Sequence, residues 1–341
     1  MKQYNLAFLG FGNVGRALAR LFAAKTVELQ EQYGIEWRIT GVASRRLGWL
    51  AKDAANTSDN FDLATLFSEQ SLKESASSNS IDSWLGQARP DVVFETTSLN
   101  HETGQPAIDY LRATLEAGAH AITANKGVIV HGFSSLNELA TSVGKRLLFE
   151  STVLDSAPVF SLFRETLPAV KLRGFSGAFS STTNVIIETM EAGRSFDEGL
   201  KTAQDLGVAE TDPSHDVDGW DATVKVCALA NVLMGVQLRP ADIAREGIRG
   251  LSPSMLQAAR AAGAPFKLMA RARIGRDGEL IATVRPEQVT ASDPLGNIRG
   301  TSLGVHFELD MMPGLTITSH RPNLQSTAYG MLADFINAVR K

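Results

Sequence analysis

The chain has 341 residues, 44% of them hydrophobic and 21% charged, with a formal net charge of -4. That length suffices for two domains, and so mild a charge gives no electrostatic reason to expect a nucleic acid or a membrane surface as partner. A single cysteine, Cys227, excludes an internal disulfide framework and a multi-cysteine zinc site. The first residues enter an apolar strand pattern directly, with no charged segment leading into a long apolar run. A cytoplasmic protein with neither signal peptide nor membrane span is therefore expected.

Residues 5–9 are short and apolar, and Gly10-Phe11-Gly12-Asn13-Val14-Gly15 follows at once. Val14, Ala17, Leu18, Leu21 and Phe22 then recur at helical spacing. A strand, a glycine turn and a helix make a dinucleotide-binding arrangement. Gly10 permits the tight turn, Gly12 lets a pyrophosphate approach the backbone, and Gly15 lets helix and strand pack closely; the helix start at Asn13 and Val14 offers N–H groups to phosphate. The second strand, residues 37–43, runs into Ser44-Arg45-Arg46, where a site selective for NAD usually carries an acid for the ribose 2′-hydroxyl. Arginines suit a 2′-phosphate, so NADP(H) is expected in preference to NAD(H), with Ser44, Arg45 and Arg46 as contacts.

Residues 57–80 turn polar and serine-rich, predicting a short helix and then a loop at residues 75–80. Residues 91–98 read as a buried parallel strand ending in small hydroxylated residues. Ligands in open α/β sheets lie beyond the carboxyl ends of the strands, which places Thr96 and Thr97 beside the cofactor. A helix over residues 104–117 leads to a strand at 120–123 and to Ala124-Asn125-Lys126-Gly127. A lysine at that strand end would reach the nicotinamide side of the crevice; a surface loop lysine is the equal alternative. A helix at 135–143 and a strand at 146–149 complete a Rossmann-type doubly wound parallel sheet over residues 1–150, and a final helix within 323–341 is expected to pack back on it.

Residues 151–322 predict a second, mixed α/β domain. Strands are expected at 171–180, 265–274, 280–284, 301–309 and 315–318, with one helix capped by residues 180–184 and running to Met190, and another at 196–206. From Gly207 to Lys225 the chain then places five carboxylates and one lysine in nineteen residues. Past Gly219, the residues Trp220, Val224, Cys227, Ala228 and Val232 form an apolar helical stripe, and Asp221 and Lys225, four apart, share a face. Such a pair is most often a solvated one worth about 0.3–0.5 kcal/mol. The nucleotide-binding features upstream are what favour a catalytic reading.

Taken together, the glycine loop at 10–15, Thr123-Ala124-Asn125-Lys126-Gly127, Glu150-Ser151-Thr152-Val153, Ser181-Thr182-Thr183-Asn184, Ala209-Glu210-Thr211-Asp212-Pro213, and then Asp221 and Lys225, resemble the homoserine dehydrogenase family in the same order over nearly the whole chain. The resemblance implies reduction of L-aspartate 4-semialdehyde to L-homoserine with NAD(P)H. It also implies a Rossmann domain followed by a substrate and dimerisation domain, and a homodimer. Carried over, Lys225 is the catalytic acid/base, Lys126 a second lysine between nicotinamide and substrate, Glu210 and Asp221 ligands of the substrate ammonium, and Thr182 a contact of its carboxylate. Asn125 and Lys126 would also touch the cofactor. A monovalent cation, Na+ or K+, would lie on the backbone oxygens of Glu150, Val153, Asp155 and Ala157.

The chain departs from the family at Leu154-Asp155-Ser156, at Val208, at Ser181 and over residues 319–328, where Ser319-His320-Arg321 replaces a glycine-rich loop. Two alternatives stay open on that account. One is a sister dehydrogenase of another small hydroxy acid, recognised by Asp155, His320 or Arg321. The other is a relative that binds NADP without turnover.

Overall fold

In a computed structural model, the described residues are 1–56, 60–68, 77–78 and 80–340. They form two units, Met1–Ser156 with Asn323–Lys341, and Ala157–Pro322. No helix among the described residues is long and apolar enough to cross a membrane.

The first unit is built on seven strands: β1 (Lys2–Leu9), β2 (Ile35–Ser44), β3 (Gly48–Ala51), β4 (Ser77–Ser78), β5 (Val92–Glu95), β6 (His120–Thr123) and β7 (Leu147–Leu148). Their spatial order is β4-β3-β2-β1-β5-β6-β7. The strands from β2 across to β7 run parallel, while β3 and β4 are antiparallel additions at one edge. The sheet grows outward from β1 in both directions, through β2 on one side and β5 on the other. The carboxyl ends of β1, β2 and β5 therefore flank the point where the winding reverses, which is where such sheets bind nucleotides.

Both faces of this sheet are buried, and the period of two is visible in what each face carries. Leu6 and Phe8 share one core with Ile39, Val42, Phe94 and Ile122, while Ala7 and Leu9 share the other with Ala43, Val93 and Trp84. The larger side chains meet the helices Asn13–Ala24 and Leu324–Val339. Phe335 of the latter lies edge-on to Phe22, with ring centroids 5.1 Å apart, and to Tyr4 at 5.9 Å. On the other face Trp84 is fully buried, and its indole N–H donates to the Leu50 carbonyl at 2.7 Å.

Several expectations move. The helix expected from residue 135 begins nine residues earlier, as Lys126–Ser142. Its first turns hold Gly127, Val128, Ile129, Val130 and Gly132, poor helix formers by propensity, yet the Asn125 side chain caps the Gly127 N–H at 3.0 Å and starts the helix there. Lys126 is therefore the first residue of a helix and not a loop residue. The helix expected from residue 104 starts at Ala107, behind Pro106. Two unforeseen helices occur, Thr26–Tyr33 and Ile81–Ala88, and Leu63–Phe67 is a short one. Of the loop expected at 75–80, residues 77 and 78 form β4, and Ser80 caps the helix at Ile81 by accepting from the Ser83 N–H. Residues 75, 76 and 79 lie outside the described residues.

The second unit holds β8 (Leu172–Ala178), β9 (Ala244–Arg245), β10 (Phe266–Ile274), β11 (Leu280–Gln288), β12 (Leu303–Leu309) and β13 (Leu315–Ser319), in the order β13-β12-β8-β10-β11-β9. One face is apolar, with Phe175, Leu268, Ala270, Val284, Val305 and Phe307 all buried. The alternating positions Arg273, Arg285 and Glu308 are exposed, and His306 is half-buried. The same polar face is covered in part, where Ala178 and Met269 are buried with Val289, Leu295 and Ile298. β11 extends to Gln288, four residues beyond expectation, because it pairs with β10 along its whole length from Ile274↔Leu280 to Phe266↔Gln288. The short parallel strand β9 and the helix Pro253–Ala261 had no clear signal in the sequence.

Candidate active site

The glycine loop in the first unit is shaped by contact. Gly10 has φ +89, and a Cβ on it would lie 2.6 Å from the Thr96 carbonyl group. A Cβ on Gly15 would lie 2.7 Å from the Gly10 carbonyl oxygen. Both positions are closed to a side chain. Gly12 by contrast has nothing within 4 Å of its Cβ position, and as N-cap of Asn13–Ala24 it leaves the first turn without a side-chain cap. The N–H groups around Asn13 and Val14 thus open onto free space, which is what a pyrophosphate requires. Thr96 closes the loop from the other side, donating from its hydroxyl to the Gly10 carbonyl at 2.9 Å.

Next to this loop, a cavity of about 370 Å³ is lined by Gly10, Ser44, Arg45, Trp49, Thr97 and Tyr110, among others. Ser44 accepts from the Leu47 N–H at 3.1 Å and so shapes the turn from β2 to β3. Arg45 is exposed on that turn, and its guanidinium donates to the Ser98 hydroxyl at 2.8 Å. Arg46 is likewise exposed. No carboxylate stands on residues 44–48.

Sequence reasoning missed Glu95, the last residue of β5. It is fully buried and accepts from the Thr97 N–H at 2.8 Å and from the hydroxyls of Thr97 and Thr123, each at 2.5 Å. Burial pushes this carboxyl above its ordinary range, and the hydrogen bonds from Thr123 and Thr97 oppose the shift. An acid ending an apolar strand was the available signal.

The second unit brings Lys225 and Asp221 together. The helix Trp220–Leu233 is buried at every position from Ala222 to Ala230, so its lysine is buried with it rather than facing solvent. Lys225 Nζ donates to the Phe179 carbonyl oxygen at 2.6 Å and pairs with the Asp221 carboxylate at 2.8 Å, the two side chains being 10% and 18% exposed. The solvated-pair alternative is thereby removed. Phe179 and Ser180 end the segment from β8 into the helix Ser181–Glu191, and Ser180 caps that helix. Thr182, in its first turn, places its hydroxyl 2.7 Å from both the Asp216 carboxylate and the Val208 carbonyl. Asp216 is therefore a carboxylate of this site that sequence reasoning passed over, although it lies within the acidic stretch. Glu210 is exposed, and no hydrogen bond or ion pair joins it to Lys225, Asp221 or Thr182 among the described residues.

Residues 150–155 lie in the first unit, with Asp155 at φ +54 and its carboxylate accepting from the Thr327 hydroxyl at 2.6 Å. Ala157 belongs to the second unit, where its carbonyl accepts from the Val159 N–H at 2.8 Å. Among the described residues no three His, Cys, Asp or Glu side chains gather as a metal site. His320 and Arg321 are exposed.

The first unit's glycine-cradled helix start suits a dinucleotide, and the second unit's buried lysine–carboxylate pair suits proton transfer; the class is an NAD(P)-dependent oxidoreductase acting on a CH–OH group. Comparison with known proteins gives the family. The model of the homoserine dehydrogenase NAD-binding domain matches residues 10–150, and that of homoserine dehydrogenase matches residues 158–336. An NAD(+)-dependent homoserine dehydrogenase of Pseudomonas canavaninivorans is 31% identical over 99% of this chain and 96% of its own. A homoserine dehydrogenase of Methanocaldococcus jannaschii is 31% identical over 98% of each chain. Among solved structures, one from Archaeoglobus fulgidus superposes with TM-score 0.85 at 29% identity, over 99% of this chain and 100% of that one. A hyperthermophilic archaeal homoserine dehydrogenase in complex with NADPH shares the fold, with TM-score 0.80 at 24% identity over 99% of this chain and 98% of that one. The chain belongs to the homoserine dehydrogenase family.

Proposed function

We propose that the protein interconverts L-homoserine and L-aspartate 4-semialdehyde, with NADP(H) preferred over NAD(H). The observation that carries the chemistry is the buried Lys225 ammonium, oriented by Asp221 and the Phe179 carbonyl. Reduction of an aldehyde leaves negative charge on its oxygen. A lysine held by two of its three hydrogens keeps the third to stabilise that charge and to deliver the proton. Asp221, Asp216 and the solvent-facing Glu210 supply negative charge for the substrate's ammonium, and the Thr182 hydroxyl, once it turns from Val208 and Asp216, donates to its carboxylate. Bound at the glycine loop, with Lys126 and Asn125 on its nicotinamide side, the reduced dinucleotide supplies the hydride. The internal engagement of the Asp155 carboxylate with Thr327 gives no support to recognition of a different hydroxy acid through that residue.

The 2′-phosphate preference rests on Ser44 and Arg45, which line the cavity, on the exposed Arg46 next to them in the chain, and on the lack of an acid there. A guanidinium pairs with phosphate through parallel charge-assisted hydrogen bonds. The wild-type protein is expected to give a higher kcat/KM with NADPH than with NADH. Arg45→Ala should lower the NADPH value about tenfold and leave NADH nearly unchanged, as for loss of one charge-assisted hydrogen bond. Equal or better turnover with NADH sinks the preference. Assay of L-homoserine oxidation against a panel of small hydroxy acids tests the substrate.

The exposed part of the second sheet's polar face, around Arg273, Arg285 and Glu308, is the proposed homodimer surface, with Ile274 and Ile281 exposed at 50% and 45% beside it. Sedimentation at micromolar concentration checks it, and a monomer would refute it. A monovalent-cation requirement, which the resemblance attaches to the oxygens of Glu150, Val153, Asp155 and Ala157, is read by exchanging Na+ and K+ for choline.

A further inference from the structure

Glu95 is a buried acid that the proposed chemistry does not use. β5 supplies three apolar residues and then this carboxyl, with no exposure at all. A carboxyl in that position is costly unless its oxygens are occupied. One oxygen receives the Thr97 N–H and hydroxyl, and the other receives the Thr123 hydroxyl. The Thr123 oxygen in turn accepts the Asn125 N–H at 2.9 Å. One side chain thereby ties together the residues that leave two adjacent parallel strands, β5 and β6.

The next link is Asn125. Its Oδ1 caps the 17-residue helix Lys126–Ser142 through the Gly127 N–H, which fixes the orientation of the amide. Its Nδ2 is then left buried, on a residue 4% exposed, with no partner in ordinary hydrogen-bond geometry, although the Glu95 carboxyl is close enough to feel it. Of the two hydrogens there, the neighbouring Glu95 carboxyl can draw at most one. A buried amide hydrogen at a helix start, beyond the carboxyl end of a strand, is a donor awaiting an acceptor. In a doubly wound sheet the two mononucleotide halves lie on either side of the reversal point. Ser44 ends β2 and Arg45 follows it on one side, whereas Glu95 ends β5 and Asn125 follows β6 on the other.

We propose that Glu95 is a positioning residue for the nicotinamide half of the dinucleotide, locking Thr97 and Thr123 so that Asn125 Nδ2 donates to an acceptor oxygen of that half. The inference rests on the dinucleotide reading of the site and is independent of which dinucleotide is preferred.

The test is calorimetric titration of the full-length protein with NADP+ and NAD+, each beside its adenosine half, 2′,5′-ADP or ADP. Preference for the 2′-phosphate is read in the wild type alone. Glu95→Gln keeps the size but replaces an acceptor oxygen by an amide that must donate, and Glu95→Ala removes both acceptors. Both variants are expected to weaken whichever whole dinucleotide binds, Glu95→Ala by about tenfold or more, and to leave the half molecule within about twofold. A parallel loss for whole and half molecules would mean general loosening of the sheet ends and overturn the inference, as would unchanged binding of both. Asn125→Ala should produce the same selective loss, and combining it with Glu95→Gln should cost little more than either alone. Fully additive losses overturn the coupling. A wild type that binds neither dinucleotide sinks the underlying reading and this inference with it.

Discussion

Lys225 illustrates how one residue's role follows from where its helix is buried. An isolated pair four residues apart is weak in water. Here the pair is nearly dry, and removing either partner leaves the other charge uncompensated. Lys225→Met should reduce kcat by about 10²–10⁴, the usual worth of a general acid, with a much smaller change in KM for homoserine. Steady-state kinetics of homoserine oxidation with NADP+ in excess measures it; near-normal kcat removes the role. The same burial decides Cys227. Desolvation pushes its thiol up to about 12, so the native protein should resist iodoacetamide at neutral pH, and labelling should appear only in denaturant. The spacing of Asp221 and Lys225, their shared face and the apolar character of the helix could all be read from the sequence. Asp216 could not be singled out among five carboxylates, because its partner, Thr182, lies 34 residues away.

At the scale of elements, His120 opens β6 and joins it to the next strand's approach by accepting the Arg146 N–H at 3.0 Å through Nδ1. Burial, with the positive charges of Lys145 and Arg146 behind it, lowers its pKa to about 4. The ring is thus neutral in the folded protein at neutral pH, while the unfolded chain binds a proton near pH 6.5. Between about pH 6.5 and 4 the unfolded state holds more protons. The contribution of this residue to stability is therefore complete above that window and is lost as pH falls through it. After discounting for partial exposure it amounts to about 1–2 kcal/mol. Urea titrations of wild type and His120→Gln at pH 7 and pH 4.5 should show a smaller pH difference in the variant; parallel curves rule it out. Helix starts at this scale were uneven to read. Ser180 stands at the head of a run of hydroxylated and amide residues that signals a cap, and Ser195 with Glu198 makes a capping box, whereas Asn125 stands before glycines at 127 and 132 that mask the start.

At the scale of the whole molecule, the first unit is not continuous in sequence, because the helix Leu324–Val339 fills a core begun by β1. Phe335 is fully buried against Tyr4, Phe22 and Phe94. Phe335→Ala should destabilise the protein by about 3–5 kcal/mol, seen as a lower urea midpoint, and removal of residues 323–341 should leave the first unit unable to fold. A truncated chain with native NADP+ affinity contradicts this.

The sequence by itself determined the parts governed by neighbours within a few residues. These are the strand, glycine turn and helix at the start, the alternation in β8, the strands β10 and β12 between their turns, and the side-chain cap of the helix at Ser181. Backbone sterics and side-chain period act over that range. Only the tertiary structure decided which polar groups share a buried site: Lys225 with the Phe179 carbonyl, Thr182 with Asp216, and Glu95 with Thr123. Those partners stand 46, 34 and 28 residues apart, and sheet pairing and burial bring them together. The cost of burying a charge then selects the arrangement in which each one is met, a condition imposed by the assembled core and not by any local stretch of chain.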